Sequence, residues 1–143
     1  MAEFKPYRTL AEIEEVVRRF ESCEYKPEEF FHARHLTVAA WYFANFDWKI
    51  ADERMRSGLQ KFIRYHRKNG YHVTITEFWL QMVKRTMDGR GQGEDPLSRV
   101  NRVVAGLNNK GLIYEHFSRE RVDSPEAKAQ WLEPDLKKLP GNG

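Results

Sequence analysis

A single cysteine, Cys23, excludes an internal disulfide in this 143-residue chain. Secreted domains of such length commonly carry several, so a reducing, cytoplasmic setting is the expectation. Long hydrophobic runs are missing too. The longest, VAAWYFA at 38–44, is far too short to span a bilayer, and the opening MAEFKPYRTL lacks the apolar core of a secretory signal. Nine glycines and six prolines are too few for a fibrous or disordered chain. Charge of one sign is also scarce. Twenty-four basic against twenty-one acidic residues leave +3, and Glu12, Glu14, Glu15, Glu21, Glu24, Glu28 and Glu29 tilt the first thirty positions acidic. That balance is no nucleic-acid signature. Neither an internal repeat nor a β-hairpin pattern is present.

What remains is helical periodicity with recognisable starts. Thr9 and Glu12 form a capping box ahead of Leu10, Ile13, Val16, Val17 and Phe20, predicting a helix over 10–22. Pro27, followed by Glu28 and Glu29, suits the first turn of a second helix running to about Ala44. Asp47 caps a third, bearing Ile50, Met55, Leu59, Phe62 and Ile63, with RKNG as its basic last turn and Gly70 as its stop. Thr74 and Glu77 repeat the capping-box spacing and predict a fourth helix over 75–87. Beyond the flexible DGRGQGED loop, Asp95-Pro96 opens a fifth helix to about Asn109, stopped by Gly111, and Ser124-Pro125 opens a short sixth. Residues 134–143 read as an extended or frayed tail packed by Leu136 and Leu139. The expectation is one all-α domain, 1–143, built as a bundle of five to six helices.

The chemistry concentrates in FHARHLTVAAWYF, residues 31–43, where two histidines interrupt the most apolar stretch. At 100° per residue His32 and His35 share the core-facing arc of the second helix, and His66 falls near the middle of the third helix's apolar face. His72 follows in the loop before the fourth helix, beside Tyr71, Thr74 and Thr76, while His116 stands apart. Two imidazoles one helical turn apart can ligate in concert when a third joins them. His32, His35 and His72 are therefore candidate ligands for one divalent transition metal: zinc, iron or nickel. In an enzyme such a metal would polarise a substrate or activate water, with Tyr71 or Thr74 orienting the ligands. Glu29 and His32 match one half of a dinuclear carboxylate site, but no second Glu-x-x-His accompanies them.

Two metal-free readings stand beside this one. The histidines can line a polar pocket with Tyr42, His66, Tyr71, Thr74 and Thr76, or they can be structural groups of an interaction or regulatory module, satisfied by those same hydroxyls. Cys23 is read as an inert thiol, the Trp41–Trp48 aromatics as core, and the Gly-rich loop lacks the Lys-Ser/Thr of a phosphate-binding loop. Residues 98–116 resemble the recognition helix and wing of winged-helix proteins, with Arg99, Arg102 and Lys110 placed for phosphates, but the helix and tight turn that should precede them are absent.

FHARHL, GYHVTIT and SRERVDSPEAKAQWLEPDLKKLP, in that order, resemble a group of small, uncharacterised bacterial proteins with F-H-x-x-H-L, Y-H-x-T-x-T and a closing S-R-E-R…W-x-x-P-D-L-x-x-L-P. The resemblance spans most of 27–140 and implies no activity. It groups His32, His35 and His72 with Thr74 and Thr76, and it brings Arg119 and Arg121 toward the pocket as anion-binding candidates, Glu120 and Asp123 being their competing partners. Val73 stands where similar sequences often carry an acidic residue, which removes one carboxylate from the site.

Overall fold

The computed structural model describes residues 4–88 and 93–140, and among them there is no strand. The five long helices are α1 (Leu10–Glu21), α2 (His32–Asn45), α3 (Trp48–Tyr65), α4 (Val73–Asp88) and α5 (Pro96–Leu107). Two short ones follow, α6 (Arg119–Val122) and α7 (Pro125–Ala129), and 3-10 segments occupy Pro27–Glu29 and Lys110–Glu115. Residues 89–92 of the Gly-rich loop and the closing residues 141–143, expected to be flexible and frayed, lie outside the described residues. Among the described residues no helix is long and apolar enough to cross a membrane.

The bundle is organised around α2. Ala33, Leu36, Thr37, Val38, Ala39, Ala40 and Tyr42 are all buried and point in every direction around the axis. A helix apolar all round must be enclosed. Three alanines keep its girth small, and α1, α3, α4 and α5 all pack against it. Phe20, Phe30 and Phe62 join α1 and α3 beneath it, with ring centroids 4.7 to 6.0 Å apart, within the range where aromatic pairs attract.

Several starts follow the local signals. The Thr9–Glu12 capping box forms, Asp47 Oδ1 accepts the Ile50 N–H at 3.1 Å, and Asp95 Oδ1 accepts the Ser98 N–H at 2.8 Å with Pro96 in the first turn. Ser124 does the same for α7. Other expectations are corrected. Pro27 opens a 3-10 turn instead of α2, and the chain changes direction at Phe30 and Phe31 before α2 begins at His32. α5 stops at Leu107, and Lys110–Glu115 form a 3-10 segment where a wing strand would lie, so the winged-helix resemblance does not extend to its wing. Leu136 is exposed, leaving Leu139 as the tail leucine that packs on the core.

α3 ends earlier than Gly70. It closes at Tyr65 with His66 as cap, Lys68 N–H bonding Ile63 O and Arg67 N–H bonding Arg64 O. These are the two bonds of a Schellman turn, and they force Arg67 to φ +56°. A side chain pays for that left-handed geometry. Arg67→Gly should therefore raise stability by about 1 kcal/mol, read as a higher urea midpoint with an unchanged slope. No gain would mean that the arginine's own contacts offset the strain.

Candidate functional site

α2, α3 and α4 enclose a cavity of about 350 Å³. Its walls are apolar, with Leu36 and Ala39 from α2, Leu59 and Phe62 from α3, and Ile75 and Trp79 from α4. His32, His35, Tyr71, His72 and Thr76 supply its polar edge, and Lys68 stands at the rim. The His32/His35 spacing thus works as the wheel implies, placing both rings on one cavity.

The three rings differ in what they have left to offer. His72 immediately precedes α4 and caps it: its Nδ1 accepts the Ile75 N–H at 3.1 Å, so the proton sits on Nε2 and is donated to Val122 O at 2.8 Å. This imidazole, and not Thr74, performs the capping role. Both of its nitrogens are committed. His32 lies edge-on to Trp79 at 4.4 Å and donates from Nε2 to Leu107 O at 3.1 Å, which leaves Nδ1 as an acceptor. His35 has only an aromatic neighbour, the Phe30 ring at 4.1 Å, and among the described residues nothing hydrogen-bonds either of its nitrogens.

Burial decides the charge state of His35 and disfavours the charged form of His32. It pushes the His35 imidazolium down to about 3, and the positive charges of His32 and Lys110 act in the same direction. Burial lowers His32 as well, against its bond to Leu107, which favours the charged form, while Lys110 adds to the lowering. His35 is accordingly neutral at pH 7, with one donor and one acceptor turned to the cavity.

Other expected members of the site lie elsewhere. Tyr42 is buried two turns further along α2 from His35, outside the cavity lining, where its hydroxyl donates to Glu21 Oε2 of α1 at 2.6 Å. Thr74 is fully buried behind the cavity wall and donates to Gln130 O at 2.7 Å. His66 sits outside the lining, tilted against Phe62, with its Nε2 buried and without a hydrogen-bond partner among the described residues. Arg121 Nε donates to Glu133 O at 2.7 Å and Arg119 stacks on Tyr114, so neither arginine reaches the cavity. His116 is the most buried histidine and holds the tail through Nδ1 and Lys137 O, 2.9 Å apart. Among the described residues no three His, Cys, Asp or Glu side chains are grouped to hold a metal ion.

Trp79, Ile75 and Phe62 were missed as lining residues. The i, i+4 spacing of Ile75 and Trp79 on the helix that His72 caps was the signal available. No protein-family model, curated protein or solved structure matches the chain.

Proposed function

We propose that this chain binds a small, largely apolar molecule in the cavity between α2, α3 and α4, oriented by His35. The observation carrying the reading is the neutral imidazole whose two nitrogens have no protein partner and which opens onto apolar walls. His35 is half-buried and its nitrogens are not sealed from the cavity, and a concave apolar site with a few converging polar groups is what a ligand cavity requires. A cavity of about 350 Å³ suits a molecule of two or three fused rings or a medium alkyl chain. His35 would meet its carbonyl, hydroxyl or amide, with Thr76 and Tyr71 close by. The buried, unpaired Cys23 fits a reducing compartment, which favours a cytoplasmic place of action.

The metal reading, with zinc, iron or nickel on His32, His35 and His72, requires the His72 ring to release both the Ile75 N–H and Val122 O. The geometry therefore favours an organic ligand over a metal. The purely structural reading suits His72 and His116 better than His35.

Titration with the neutral fluorophore N-phenyl-1-naphthylamine tests the proposal. A single saturable site is expected, with emission transfer from Trp79 and at least tenfold weaker binding in Ile75→Trp, which fills the cavity. Unchanged binding in that variant would move the site elsewhere. A rise in Tm with equimolar zinc, lost in His35→Ala, would favour the metal instead.

A further inference from the structure

A second cavity, of about 490 Å³, lies on the other side of His32. Its walls come from four parts of the chain: Phe4, Lys5 and Tyr7 of the N-terminal segment, Val16 of α1, Phe31 to Arg34 at the start of α2, and Asn108 with Lys110 after α5. None of its lining residues is acidic, although the first thirty positions lean acidic. It holds three cations, Lys5, Arg34 and Lys110, and none forms an ion pair among the described residues.

Arg34 is fixed in place. Its guanidinium lies over the Tyr25 and Phe31 rings, 4.6 and 4.3 Å from their centroids, and Nη1 donates to Glu29 O at 2.6 Å. The remaining donors of a rigid, planar fork match a carboxylate or phosphate edge. The start of α2 adds to the field, since Phe31 gives it no side-chain cap and its first turn carries no acid. The floor is held rigid as well: Tyr7 N–H donates to Asn101 Oδ1 at 2.8 Å, Asn101 Nδ2 donates back to Tyr7 O at 2.9 Å, and Tyr7 Oη hydrogen-bonds Thr37 Oγ1 at 2.9 Å. His32 borders both cavities, so one imidazole separates an apolar chamber from a cationic one.

We infer that the ligand of the apolar cavity is an amphipathic organic anion, its apolar body against Trp79 and its anionic group beyond His32 among Lys5, Arg34 and Lys110. This rests on the ligand-cavity reading above and adds the charge class of the ligand. Three cations without an ion pair among the described residues, on a solvent-open cavity whose lining holds no acid, attract anions of many kinds, and the adjoining apolar chamber selects those with an apolar body.

Calorimetric titration with decanoate and with decanol, probes of equal chain length, separates the possibilities. Decanoate should bind at least tenfold more tightly than decanol, and the gap should narrow in 0.5 M salt. Lys110→Glu, at an exposed position, should weaken decanoate tenfold or more while changing decanol less than twofold, and Ile75→Trp should weaken both. Equal affinities in wild type would overturn the anion assignment, a decanoate preference untouched by Lys110→Glu would overturn the placement of the anionic group beyond His32, and either would leave the apolar site standing. Failure of both probes, with native circular dichroism, would overturn the cavity reading along with it.

Discussion

Thr74→Val should lower the unfolding free energy by about 2 kcal/mol, since it removes the partner of two part-buried backbone hydrogen bonds at about 1 kcal/mol each. The swap preserves shape and removes only a hydroxyl. That hydroxyl donates to Gln130 O at 2.7 Å and accepts the Leu132 N–H at 3.1 Å, joining the first turn of α4 to the segment after α7. Residues 131–140 form no regular element, so their backbone depends on such side-chain partners. Thr74→Ser, which retains the oxygen, should recover most of the loss. Urea denaturation gives the energy, and amide exchange at Leu132 gives the place. A loss below 1 kcal/mol with Leu132 still protected would show that water or a shift of the chain replaces the bond.

Acid should destabilise the protein well before its carboxylates titrate. The unfolded His35 imidazole binds a proton near 6.5, whereas burial holds the folded one down to about 3. The folded state therefore refuses a proton that the unfolded state accepts. The contribution is complete above about pH 6.5 and is lost progressively as pH falls toward 3, amounting to about 2 kcal/mol by pH 5. His32, also lowered by burial, adds a loss of the same sign. The lowered carboxylates Glu15, Glu24, Glu29, Asp95 and Asp135 act only at lower pH, as they become protonated. His35→Leu should flatten the curve between pH 6.5 and 5, and at pH 7.5 should raise stability by about 1 kcal/mol, because a poorly paired polar group is replaced by an apolar one. The same variant should lose selectivity for ligands with a polar group. A wild-type Tm that stays level from pH 7 to 5 would mean that His35 takes up its proton freely, and the neutral-imidazole account of the cavity would fall.

These expectations show where the sequence was informative. Capping is local chemistry, so Thr9, Asp47, Asp95 and Ser124 announced their helices from a few residues of context. The Thr74–Glu77 spacing was equally good on paper, but the threonine found a partner 56 residues away and Glu77 pairs with Arg56 of α3, leaving the cap to an imidazole that no capping rule favours. The helical wheel put His32 and His35 on one face. It could not say which neighbour each inward residue of α2 meets, because that helix is enclosed on all sides, and so Tyr42 was assigned to the cavity although it faces α1. His32's own acceptor is 75 residues distant. The cationic chamber was least legible of all, since positions 5, 34 and 110 meet only through the tertiary fold.

The clasps on α4 also bear on the order in which the site comes into being. His72 and Thr74, at the start of the helix that carries Ile75, Thr76 and Trp79 into the cavity, are bonded to Val122, Gln130 and Leu132. During synthesis the walls built from residues 27–83 leave the ribosome well before those anchors do. A nascent chain halted near residue 115 would carry every cavity-lining side chain without the bonds that fix the first turn of α4. If the cavity binds as proposed, competence to do so is then conferred late, by residues outside its lining.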